Sequence, residues 1–216
     1  MLKVFRFLND LKNNNNREWM QDNRQLYQES KEEVTELVKK LINGISQFDS
    51  GILGLQPRDC MFRINRDIRF SRNKDPYKNN FGAAITAGGR KTGNPSYYLH
   101  IAPKKSFFAG GMYMPSADRL KKIRQEIDYN ASELKAIIWG DTFYETFGDI
   151  RGQALKTCPR GYSSDHPDIK LLRLKSFLVK KDLTDRSFCS PHHFSRLISL
   201  SEMIYPFNKY LEVAIS

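Results

Sequence analysis

The chain has 216 residues, 40% hydrophobic and 12% aromatic, with 35 Lys and Arg against 24 Asp and Glu, a formal net charge of +11. That length and apolar content suit one ordered domain spanning residues 1–216 and exclude a disordered or fibrous chain. The three cysteines, Cys60, Cys158 and Cys189, are widely spaced with no C-x-x-C pair, which argues against a disulfide framework or a zinc cluster and for a reducing compartment.

The N-terminal MLKVFRFLNDLK carries charge throughout, unlike a signal peptide, and no window approaches the length of a membrane span. The expectation is a cytoplasmic protein with no membrane partner. Val4, Phe7, Leu8 and Leu11 predict a first helix over residues 3–12, stopped by the Asn13–Asn16 run. Asn15 followed by Glu18 fits a capping box for a second, long helix. Its apolar positions run from Trp19 through Leu26, Val34, Leu37, Val38 and Leu41 to Ile45, with a stop near Gly44 and a bend expected near Glu29–Lys31.

Phe62 to Phe81, FRINRDIRFSRNKDPYKNNF, is the most distinctive stretch. Phe62, Ile64, Ile68 and Phe70 alternate with Arg63, Asn65, Asp67 and Arg69, which predicts a half-buried strand followed by a turn-prone basic loop. Arg66 breaks the alternation and falls on the apolar face, where a guanidinium needs a partner. Residues 81–86 predict another strand, and SYYLHIA (96–102) with SFFAG (106–110) predicts a hairpin across Pro103-Lys104-Lys105. His100 shares a face with Tyr98. Ser116 is placed as N-cap of a helix lined by Leu120, Ile123 and Ile127, and a further helix covers 132–139. Pro159, Gly161 and Pro167 leave an ordered loop holding Lys156, Arg160, Tyr162, Asp165 and His166. Residues 171–179 read as the last strand, and Asp185 or Ser190 as caps for C-terminal helices.

Four stretches carry a family resemblance: FLNDLKNNNNREWMQDNRQLY, FRINRDIRFSRNKDPYK, YYLHIAPKKSFFAGGMYMPSADRLKKIRQEI and LKTCPRGYSSDHPDIKLLRLKSF. Together and in this order they resemble the bacterial and fungal family catalogued as domain of unknown function 2461. The resemblance covers nearly the whole chain and implies a single domain, and it carries over no reaction. The family often has a proline in the middle of the long helix, where this chain reads Ser30-Lys31-Glu32-Glu33. The fold expected is α+β. A mostly antiparallel sheet of about five strands is covered by the long N-terminal helix and helices at 116–139 and 190–212.

Charge is unevenly spread: residues 55–135 hold 16 basic and 7 acidic side chains, most of the net excess. The leading functional reading is a site for a small phosphate- or carboxylate-bearing ligand, because arginine offers a rigid fork to such groups and lysine a mobile point charge. Arg63, Arg66, Arg69, Lys74, Tyr77, Lys78, Lys156 and Arg160 are the candidate ligand-binding residues, and Asp67, Asp165 and His166 the candidate acid–base groups. This reading requires the 156–166 loop to fold against the 62–70 strand. A second reading is a nucleic-acid-binding module on the basic 55–135 region, with Tyr77, Tyr97 and Phe107 as stacking residues. A third is a non-catalytic structural protein whose arginines form internal ion pairs. No standard nucleotide fingerprint or metal-ligand spacing is present, and no cofactor is named.

Overall fold

Where apolar residues recur at helical spacing, the chain folds as predicted. The computed structural model describes residues 1–216. Helix α1 (Leu2–Asn13) buries Val4, Phe5, Phe7, Leu8 and Leu11. The long helix is two: α2 (Arg17–Asp22) and α3 (Arg24–Ile45), broken at Asn23, whose amide donates to the Trp19 carbonyl at 2.9 Å. The expected bend near Glu29–Lys31 is absent because α3 runs unbroken through those residues. The cap of α2 is Asn16 rather than Asn15, accepting from Trp19 N at 2.8 Å.

After α4 (Pro57–Cys60) come β1 (Phe81–Ile85), β2 (Ser96–Ile101) and β3 (Ser106–Met112). Then follow α5 (Ala117–Ile138), α6 (Asp141–Phe147), the single turn α7 (Ile169–Leu172), β4 (Phe177–Leu183), α8 (Asp185–Cys189) and α9 (His193–Ile215). Ser116 caps α5 as predicted, and a kink at the non-helical Asn130 divides α5 into the two helices expected over 116–139. Thr184, not Asp185, caps α8, and the Asp185 carboxylate instead accepts from Lys104 N at 2.9 Å, holding the hairpin turn.

The sheet has four strands, not about five, in the order β1-β2-β3-β4, and every pair is antiparallel. Two predicted strands are corrected. Residues 62–70 form no strand: Phe62 N donates to Gly82 O at 2.9 Å beside β1, and the chain then folds back on itself, Lys78 N to Ile64 O and Arg66 N to Pro76 O, both 2.8 Å. Alternation alone was insufficient because only Ile64 finds a buried place, while Phe70 is 95% exposed. The last strand begins at Phe177, and Ile169–Leu172 is helical, since apolar Leu171, Leu172 and Leu174 occupy both parities and Leu172 alone is fully buried.

Tyr97, Leu99, Ile101, Phe81, Ile85, Phe108, Phe177 and Val179 face one side of the sheet and are buried. Helix α9 lies on that side and buries Leu197, Leu200, Ile204, Phe207 and Leu211. Gly110 makes this approach possible: a Cβ there would sit 2.1 Å from Ile204 Cγ2. Gly111 next to it has φ +112° and a missing Cβ that would lie 1.9 Å from the Phe177 carbonyl oxygen. The opposite face carries Tyr98, His100, Phe107 and Lys180, all half-buried, and exposed Asp182. No helix is long and apolar enough to cross a membrane.

Gly110→Ala is expected to cost about 1–3 kcal/mol, the usual range for overpacking a core. In a double-mutant cycle read by chemical denaturation, Ile204→Ala should cost measurably less in the Gly110→Ala background than in wild type. Additive costs would show that the two side chains do not compete for the same space.

Candidate functional site

Residues 61–62 lie along the free edge of β1, bridged at Met61–Ala83, and lead into the segment 63–66 that pairs with 76–78. Its position is fixed from the other side by Asn15. That side chain accepts from Tyr77 N and donates to Tyr77 O, both at 3.1 Å, so an amide takes the part of a neighbouring strand. Phe62 is 39% exposed, and its ring meets Tyr98 edge-on at 6.2 Å. The Lys78 ammonium and the Arg90 guanidinium each lie 5.9 Å from the centre of the Phe62 ring. Lys78 donates to Arg63 O at 2.9 Å, Arg90 to Arg58 O at 2.7 Å, and Lys74 to Ile68 O at 3.0 Å. Arg66 reaches Tyr77 O at 3.4 Å, and its buried Nε has no partner. These donors end on backbone carbonyls, which orient a cation without neutralising it. Burial, with Arg63 and Arg66 close by, holds the Lys78 ammonium below the ordinary lysine range.

Arg69 behaves differently. It grips Asp67 with two hydrogen bonds of 3.0 and 2.7 Å, which keep the Asp67 carboxyl below its usual range. The Asp67 carboxylate is thus held by Arg69 in a pair that stays largely exposed. Among the predicted arginines this is the one carboxylate pair, so the internal ion-pair reading rests on it alone.

The second predicted cluster lies elsewhere. Residues 151–154 run along the free edge of β4, through bridges Arg151–Leu178 and Ala154–Leu174, and lead into the 156–166 loop. The 62–78 loop and the 156–166 loop thus flank opposite edges of the sheet, at least three strand spacings, or about 14 Å, apart. The expectation that they close on each other is corrected: sheet order separates them. His166 accepts from Asp168 N through Nδ1 at 3.0 Å, which places its proton on Nε2, directed at Asp128 Oδ1 2.9 Å away. Both ring nitrogens are occupied, the arrangement of a clamp between loop and α5. Asp165 is exposed and accepts from Ser164 Oγ at 3.2 Å, and Lys156 and Arg160 are exposed. Lys121, Arg124, Arg160 and Tyr162 line a cleft of about 480 Å³ here. Arg124 is held in it by donations to Leu172 O at 2.7 Å and Leu174 O at 3.3 Å.

Sequence reasoning overlooked the aromatic row on the outer sheet face. His100 stacks on Phe107 at 4.6 Å with an interplanar angle of 11°, and Tyr98 meets Phe107 at 5.7 Å and His100 at 6.1 Å. Lys180 covers Phe107 at 4.9 Å while pairing with Asp182 at 2.7 Å. The hairpin register, which sets His100 opposite Phe107, was the available signal. Nothing in the sequence brings Arg90 or Lys180 to the same face. Tyr97, expected to stack, is 1% exposed and donates to Asp49 Oδ2 at 2.9 Å, so it belongs to the core.

Together these features define an α+β protein with one helix-covered sheet face and one face bearing rings and cations. The chain belongs to the family described as conserved hypothetical protein (DUF2461), which matches residues 3–210. No curated protein and no solved structure matches it.

Burial, assisted by Lys180, holds His100 below the ordinary imidazole value of 6.5. The unfolded chain then takes up a proton before the folded one does, so His100's contribution to stability is complete above pH 6.5 and is lost as pH falls through its lowered pKa. His100→Gln should remove this loss. The check is an NMR titration of His100 with denaturation at a series of pH values, and a His100 midpoint at or above 6.5 would contradict it.

Proposed function

We propose that this protein binds a small phosphate- or carboxylate-bearing ligand at the basic edge beside β1. The observation that carries this reading is the convergence of Lys78 and Arg90 on the Phe62 ring, with Arg63 lining the cleft beside them and no carboxylate paired to any of the three. Grouped cations repel one another, and an anion accepting from them relieves that repulsion while gaining charge-assisted hydrogen bonds. A cleft of about 710 Å³ opens between segment 61–65 and α3, lined by Arg58, Phe62, Arg63, Arg90 and Tyr27, within the usual range for small-ligand sites. On the α3 side Glu32 and Glu36 outnumber Lys31, so the ligand's anionic group is directed to the arginine wall. The reading is one of binding: Asp67 is engaged by Arg69, and Asp165 and His166 lie at the far edge of the sheet. A cytoplasmic location accords with the three free cysteines.

The test is a thermal-shift and calorimetric titration with inorganic phosphate, pyrophosphate and citrate at low salt. A ligand at about 100 times its Kd should add about 2.7 kcal/mol to stability. Arg63→Ala and Arg90→Ala should each weaken binding by about 1.5–3 kcal/mol, the range for hydrogen bonds to charged groups. If none of the three anions shifts the melting temperature, the reading fails.

A further inference from the structure

The cations beside β1 do not stand alone on their surface. From Phe62 the outer face of the sheet continues through Tyr98 to His100 and Phe107, each ring within 6.2 Å of the next, and ends under Lys180. The row begins with Lys78 and Arg90 over Phe62 and finishes with Lys180 over Phe107. Steps of 6.2 Å from Phe62 to Tyr98, 5.7 Å to Phe107 and 4.9 Å to Lys180 bring the row to no more than about 17 Å. A small anion touches only one end of such a surface. A ligand that repeats anionic groups at intervals, with flat rings between them, matches its whole length.

We propose that this face is a platform for single-stranded nucleic acid, with phosphates held by Lys78, Arg90 and Lys180 and bases stacked on Phe62 and on Phe107, whose outer ring face is reached when Lys180 exchanges the ring and Asp182 for a phosphate. The inference rests on the anion-binding reading of the same basic edge and names the partner. Base–aromatic stacking tolerates any sequence because every base has a π-face, and a duplex hides those faces. The span accommodates about three nucleotides, one for each ring step of 5.7–6.2 Å, since bases seated on the protein's rings are not stacked on one another. The loop 66–76 that follows Phe62 carries a further exposed ring: Phe70 is 95% exposed, with the Arg69 guanidinium 5.8 Å from its ring centre.

The experiment is fluorescence anisotropy with a labelled oligodeoxythymidylate of about twelve nucleotides, across a salt series, with a duplex of equal length for comparison. Three to four neutralised phosphates give a log–log salt slope of about −2 to −3, at about −0.7 each. Phe62→Ala and Phe107→Ala should each weaken binding about fivefold or more, while Lys170→Ala, an exposed cation on α7, leaves it unchanged. Circular dichroism melting establishes that each variant is folded, and if Phe107→Ala is not, Lys180→Glu replaces it. Oligonucleotide binding that the ring and Lys180 variants leave intact would overturn the platform, as would tighter binding of the duplex. No oligonucleotide binding at low salt, with the pyrophosphate shift retained, overturns the platform and leaves the small-anion reading standing. Loss of both signals removes both.

Discussion

Helix α9 seats itself in the notch left by Gly110 and Gly111, and the rest of the molecule depends on that contact. Ile204 occupies the space where a β3 side chain would stand, and Phe207 approaches beside Gly111. From there α9 meets β2, α3, α5 and α8, so nearly every layer of the core rests on it. Five of its fully buried apolar residues, at about 1.5–3 kcal/mol each, make its docking a large fraction of the hydrophobic driving force. Drawing the helices to one side leaves the other side of the sheet for polar and aromatic groups. The ring row and its flanking cations are a result of that asymmetry.

The sequence revealed those parts of the fold whose signal is local. Val4, Phe7, Leu8 and Leu11 sit on one helix face, and the turn at Pro103-Lys104-Lys105 joins β2 to β3. Alternation failed in two ways. At 62–70 it described a segment with the parity of a strand that meets one residue of β1 and then only its own returning chain at 76–78. In the hairpin it separated Tyr97 from Tyr98 correctly but left open which of them faces the core. Only the docking of α9 against Gly110, the register partner of Tyr97, decides that.

The candidate site was half legible for a related reason. Arg63, Arg66 and Lys78 are near each other in sequence and stay near each other in space. His166 and Arg160 are distant in sequence, and their separation follows from strand order, which residue types do not encode. Cations paired with backbone carbonyls are also invisible in a sequence, because every carbonyl is a potential acceptor. Counting carboxylates in residues 55–135 showed the excess of positive charge, and the structure shows where that excess is left unpaired.

Both margins of the sheet are occupied by pieces that are not strands: 61–62 alongside β1, and 151–154 alongside β4. Each meets its strand at a residue or two and then turns away: Met61 and Phe62 reach Ala83 and Gly82 of β1, and Arg151 reaches Leu178 of β4. Past Leu178 the outer margin of β4 has no strand beside it, and it carries Lys180, Lys181 and Asp182 in a row. Charged side chains, lysine above all, discourage one sheet edge from pairing with another. A second copy of the chain would bring the same lysines against their like, so the open margin does not make the chain prone to assemble with itself.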